Sequence, residues 1–223
     1  MSVIDERATA LTRSRYDRKA HLYDQLTRGS ERMMTPGRAA LWQSVSGPRV
    51  LEVGVGTGKS MPYYPSGMTI TAVDLSPRML EQARTHAARN RVVVKLREAD
   101  VQSLPFPDAS FETAIATCVF CSVPDPVLGL RELRRVLVPG GQLLLLEHVV
   151  SHRPLLGPIM GVLNPLVVRM MGANINRETV ENVRQAGFTN LHVADLWLDI
   201  IKRIEARTPD LAVAPSVVRR RSQ

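Results

Sequence analysis

Cysteine, aromatic residues and long apolar runs are all scarce in this chain. Its 2 cysteines in 223 residues stand together as Cys118-Val119-Phe120-Cys121, too few for a disulfide framework. A redox dithiol would open a helix in a thioredoxin-like setting, and a zinc site would need two further ligands at suitable spacing. Neither accompanies the pair, so it reads as two small apolar residues. No run of eighteen apolar residues occurs, which excludes a spanning helix. The first residues, 1–7, lack the apolar centre of a signal peptide. The expectation is a cytoplasmic protein, associated peripherally with a membrane surface. Aromatic residues make up only 4% of the chain and do not alternate with basic ones. With no recognition module in sight, nucleic acid is not an expected partner.

What the chain does have is positive charge, formally +8 and carried mainly by arginine. That balance attracts anionic partners such as phospholipid headgroups. With 44% apolar residues it can bury one substantial core.

The decisive stretch is Val50-Leu51-Glu52-Val53-Gly54-Val55-Gly56-Thr57-Gly58-Lys59-Ser60. An apolar strand turning on glycines into a helix is a nucleotide-binding corner, and an acid ending the next strand, here Asp74, suits a ribose hydroxyl pair. A P-loop would need glycine at residue 53, which is Val53; the dinucleotide fingerprint would need glycine at Lys59. The remaining pattern is Glu-x-Gly-x-Gly-x-Gly, in which the backbone passes close to a ligand where a Cβ would collide.

Further along, Ser76 and Pro77 form a helix start. Val92–Leu96 reads as a third strand leading to Asp100, a loop acid suited to an adenine amino group. Ser110–Cys118 reads as a fourth strand. A helix ends at the Gly140-Gly141 turn before an apolar strand from Gln142 to Leu146. Alternating helices and apolar strands give an α/β fold with a doubly wound, mostly parallel sheet.

Motif by motif, Val50 to about Val150 resembles the class I S-adenosylmethionine (SAM) methyltransferases. The resemblance implies a Rossmann-like seven-stranded sheet with an antiparallel last strand. It implies SAM as cofactor and S-adenosylhomocysteine as product. It places Glu52, Gly54, Gly56, Thr57 and Gly58 around the methionine moiety. Asp74 would take the ribose, flanked by Leu75 and Met79. Asp100 and Val101 would edge the adenine, and Cys118 and Val119 would lie under the sulfonium.

Substrate choice must come from what is added to this core. Residues 1–48 form a helical cap, in which Ile4, Ala8 and Leu11 share one face and Tyr16, Ala20 and Tyr23 another, among several arginines. Such a helix either rests on an anionic membrane or packs across the mouth of its own domain. Residues 49–207 are the methyltransferase domain, with an apolar, methionine-rich lid at 151–175 whose prolines argue against one continuous helix. Residues 208–223 read as a basic flexible tail.

Tyr16-Asp17-Arg18-Lys19-Ala20-His21-Leu22-Tyr23-Asp24 resembles the opening motif of quinone C-methyltransferases and bacterial phospholipid N-methyltransferases. Leu143–Val149 and the apolar segment after it are closer to the latter and resemble membrane-associated thiol methyltransferases as well. The resemblance implies a lipid or other apolar small-molecule acceptor, foremost phosphatidylethanolamine. Tyr16, Tyr23 or His148 would accept or relay the amine's proton. Glu147 would hold the cationic headgroup, and Arg177, at a helix N-terminus, its phosphate. His148 has an alternative reading as a strand-end histidine bonded to backbone.

Overall fold

Val50, Leu51 and Val53 are almost completely buried, and the strand they build, β1 (Arg49–Val53), runs through the middle of the sheet. Burial from both sides is what a parallel strand between two helical layers requires. The computed structural model describes residues 4–210, apart from the side chains of residues 170 and 171. β1 pairs in parallel with β2 (Thr69–Asp74) on one side and β4 (Phe111–Thr117) on the other. β3 (Lys95–Glu98) lies outside β2, and β5 (Leu137–His148) continues in parallel from β4. β7 (Ile201–Arg207) is antiparallel to β5, and β6 (Thr189–Trp197) closes that edge. The seven-stranded order β3-β2-β1-β4-β5-β7-β6 is the Rossmann-like sheet expected, with the last strand of the chain antiparallel. Chain order reverses between β1 and β4, where open α/β sheets bind ligands at the carboxyl ends.

Strand alternation assigns the two faces. Val50, Ile70 and Ala72 point to the layer formed by α3 (Arg28–Gln43) and α4 (Pro77–Asn90). Leu51, Val53 and Val73 point to the layer of α5 (Pro126–Val136) and α7 (Thr179–Gln185). α4 starts as its sequence predicts: the Ser76 hydroxyl accepts from Met79 N at 3.1 Å and Pro77 takes the first position. α5 repeats the device with Asp125 and Pro126. At the carboxyl end of the sheet lie α1 (Glu6–Lys19), α2 (Tyr23–Leu26) and α6 (Leu156–Met171).

Several details differ from the sequence reading. The glycine loop leads into a single 3-10 turn, Met61–Tyr63, and not into the helix expected after it. The third strand begins at Lys95, because Arg91 caps α4 in the left-handed region and Val93 is left exposed. β5 starts directly at Leu137; its pairing jumps from Leu137 to Gln142, so Pro139–Gly141 bulges inside the strand and does not precede it. The helix expected from Arg177 begins at Thr179. The lid carries one continuous helix, α6, despite its prolines. Pro158 sits in the first turn, where no backbone acceptor is lost. Pro165 forfeits the bond to the Gly161 carbonyl, but Gly161 is exposed and water can take that place. Residues 211–223 of the expected tail lie outside the described residues.

Candidate active site

The glycine turn after β1 is built of left-handed backbone: φ is +66° at Gly54, +56° at Gly56 and +92° at Gly58. A Cβ on Gly54 would stand 2.4 Å from Val119 Cγ2, so glycine is what lets this loop meet the segment after β4. A Cβ on Gly56 would meet nothing closer than the Gly54 carbonyl at 4.0 Å, because it would project into an open cradle. The Gly56 N–H donates to Asp74 Oδ2 at 2.8 Å, and Ser76 N donates to Oδ1 at 2.9 Å. These two bonds fix the carboxylate at the end of β2. Burial nevertheless pushes its pKa up to about 6.

The cradle opens into a pocket. Gly54, Gly56, Asp74, Leu75, Met79, Asp100, Val101, Cys118 and Val119 all line it, as do Tyr16 and Tyr23. Asp100 is held in place by Gln102 N at 2.9 Å and by the Thr9 hydroxyl of α1 at 3.5 Å. Cys118 turns the chain after β4 with φ +54° while its N–H donates to Leu146 O. Burial pushes the Cys118 thiol well up and that of Cys121 to about 12, so both stay neutral, small and apolar.

The N-terminal segment closes over the pocket by a division of labour. The tyrosine rings face inward, centroids 6.2 Å apart and tilted by 56°. The Tyr16 hydroxyl lies 2.5 Å from Ser122 Oγ. The acids that follow each tyrosine fasten the segment instead. Asp17 accepts from the Ser76 hydroxyl at 2.6 Å, and Asp24 from the Thr57 hydroxyl at 2.7 Å. Lys59 stands 3.5 Å from Asp24 and 5.1 Å from the centre of the Tyr23 ring. Burial pushes both phenols above their ordinary range, so near neutrality they are neutral groups that do not hold a negative charge.

Six residues expected at the site lie behind it. Glu52 shares the Val50 side of β1; buried there, it accepts from the Tyr64 hydroxyl, and burial raises its pKa. It fastens the turn after the glycine loop. Thr57 is engaged by Asp24, and Gly58 abuts Met61, whose Cε would lie 2.9 Å from a Cβ there. Glu147 is fully buried. Its Oε1 accepts from Val119 N at 2.8 Å and Phe120 N at 3.2 Å, and Oε2 has no partner. Burial pushes this carboxyl up to about 7. It therefore supports the pocket wall from outside. His148 Nδ1 is buried without a partner away from the pocket, and burial lowers its pKa. Arg177 precedes α7 and donates to Val123 O at 2.8 Å, bracing the loop beyond Ser122.

Thr12, Thr117 and Ser122 line the pocket without having been singled out in the sequence. The Thr117 hydroxyl is buried and unpartnered there. Single hydroxyl residues such as these, one on a helix, one at a strand end and one in a turn, carry no periodicity or spacing that would mark them.

Residues 51–145 match the model of a methyltransferase domain. A phosphatidylethanolamine N-methyltransferase of Cereibacter sphaeroides is 36% identical over 127 residues, 56% of this chain and 61% of that enzyme. A demethylmenaquinone methyltransferase of Deinococcus radiodurans is 33% identical over 161 residues, 69% of this chain and 67% of that enzyme. This chain belongs to the SAM-dependent methyltransferases. The fold agrees: a SAM-dependent methyltransferase of Thermotoga maritima, a possible histamine N-methyltransferase, superposes with a TM-score of 0.68 at 22% identity, covering 88% of this chain and 99% of that one.

The pocket of this methyltransferase fits its cofactor. The open cradle at Gly56, the fixed Asp74 carboxylate and the unpartnered Thr117 hydroxyl are features that a bound polar ligand completes. When bound, SAM supplies an electrophilic methyl group on a sulfonium. Gly54 and Gly56 would border its methionine part, Asp74 its ribose, and Asp100 and Val101 its adenine.

Proposed function

We propose that this methyltransferase acts on the amine of phosphatidylethanolamine, converting it toward phosphatidylcholine at a membrane surface. The observation that carries the reading is the inward-facing pair Tyr16 and Tyr23, neutral phenols whose rings border the pocket. Aromatic faces attract an ammonium, more so when both are shielded from water. As methyls accumulate on nitrogen the positive charge becomes permanent, and the same two faces continue to favour it. The attacking amine must first lose a proton. The Tyr16–Ser122 hydroxyl pair offers a relay from the pocket for it. The nitrogen lone pair then forms the new C–N bond as the C–S bond breaks, and the chain's contribution is in-line positioning. With Arg177 outside the pocket lining, one Nη bound to Val123 O, and Glu147 sealed behind the wall, the tyrosine pair is the headgroup's main recognition element. The relative from Cereibacter sphaeroides supports the same acceptor.

A quinone C-methyltransferase is the second reading, favoured by the longer match to the Deinococcus radiodurans enzyme. Incubating the protein with labelled SAM and, in turn, phosphatidylethanolamine, demethylmenaquinone and small thiols separates these by product mass. Mono- and dimethylated phosphatidylethanolamine is the expected result. A label found only on the quinone transfers the assignment to it, and a label found only on thiols removes both lipid readings.

A further inference from the structure

Met160, buried among the described side chains of α6, fixes which way this helix faces the core. On the opposite side Leu155, Ile159, Val162 and Leu166 follow one another at four-, three- and four-residue steps, a single helical stripe. All are exposed, Leu155 at 81% and Val162 at 80%. Arg169 is the sole charge within α6, at its last turn. An apolar face of this kind left in water marks a contact surface.

The helix is tied to the pocket end of the molecule at three points. Before it, Ser151 and Arg153 engage Asp199 in the β6–β7 turn. In its middle, Asn164 accepts from Ile175 N at 2.8 Å, beside Asn174, whose N–H and amide donate to Cys121 O. At its end, Gly172 lies against Arg15 of α1. The stripe thus runs from the β6–β7 turn, where Trp197 and Leu198 are also half exposed, to the helix that closes the pocket.

Charge decides the occupant. Arg169 in the last turn of α6 and Arg153 before it, paired with Asp199, border the stripe, Arg15 lies at its far end, no acid lies on α6, and the chain carries a net +8. A second copy brings the same charge and the same cationic rim and is repelled, whereas an anionic bilayer is attracted to both. We propose that the outer face of α6, with Trp197 and Leu198, is the surface on which this methyltransferase lies against an anionic bilayer, its pocket mouth turned toward the lipid. The proposal rests on the lipid-amine reading and deepens it by naming the docking element.

The test uses the full chain and vesicles of phosphatidylcholine with or without phosphatidylglycerol. Sedimentation is expected to bring the protein down with the anionic vesicles. Of the two tryptophans, Trp42 is 1% exposed, so a blue shift of emission on binding reports Trp197. The double variant Leu155→Asp/Val162→Asp is expected to bind anionic vesicles at least about tenfold more weakly while its S-adenosylhomocysteine affinity stays unchanged. Arg153→Glu/Arg169→Glu is expected to lose the preference for anionic lipid. Wild-type vesicle binding by the double aspartate variant, or no shift of Trp197, overturns the proposal. So does a wild-type dimer that ignores vesicles and that the aspartates dissolve, since the face then joins two copies. Phosphatidylethanolamine in detergent micelles serves as a control: binding to vesicles without methylation of micellar lipid refutes the acceptor reading and leaves the docking face standing.

Discussion

Asp74 shows how one residue carries both affinity and a pH dependence. Its carboxylate is held by two backbone N–H groups and still has acceptor capacity toward the pocket. Asp74→Ala should lower SAM affinity by about 2–3 kcal/mol in calorimetry, the loss of charge-assisted hydrogen bonds. Because burial raises its pKa to about 6, protonation removes the acceptor below that value. Affinity should therefore fall about tenfold per pH unit below pH 6, and Asp74→Asn should flatten that slope. Glu147 has the opposite relation to the ligand, because its two backbone bonds serve the pocket wall. Its folded pKa of about 7 lies above the ordinary 4.5, so the native state holds this proton more tightly than the unfolded chain. The stability it contributes is present below pH 4.5 and is lost as pH climbs through 7. Glu147→Gln keeps an acceptor and removes the charge. Denaturant melts should show the variant gaining up to roughly 3 kcal/mol on wild type between pH 5 and pH 8.

Among the elements, α4 joins the sheet to the N-terminal segment through one hydroxyl. Ser76 Oγ accepts from Met79 N and donates to Asp17. Ser76→Ala should cost about 1–2 kcal/mol by chemical denaturation, more than a simple cap, because the Asp17 contact goes with it. This start of α4 was legible in Ser76-Pro77, as was the turn at Gly54–Gly58, because special backbone geometry demands special residues. Glu52 was legible too, though it was assigned by motif: alternation along β1 already puts it on the Val50 side, away from the pocket side of Val53. The continuity of α6 was not. Proline's local cost is readable from sequence, but whether the freed carbonyl reaches water depends on where the helix lies.

At the scale of the whole molecule, the sheet order follows from the succession of apolar strands and helices, with strands such as β3, β4 and β5 shifted at their ends. The pocket's walls were readable wherever strand ends supply them, as at Asp74, Asp100 and Cys118. Its roof was less so, since Tyr16 and Ser122 meet across a chain separation that no local pattern encodes. That roof has a kinetic meaning. α1 contains no buried residue, and its side chains fasten it to the core, among them Thr9 to Asp100 and Gln102, Arg13 to Glu98, Tyr16 to Ser122, and Asp17 to Ser76 and the Arg78 N–H. Such bonds open and re-form without disturbing the sheet. The expected outcome is that detachment of this fourteen-residue segment governs the residence time of the spent cofactor. Stopped-flow measurement should show S-adenosylhomocysteine leaving several-fold faster from Asp17→Ala and faster with added salt, so that product inhibition eases as ionic strength rises.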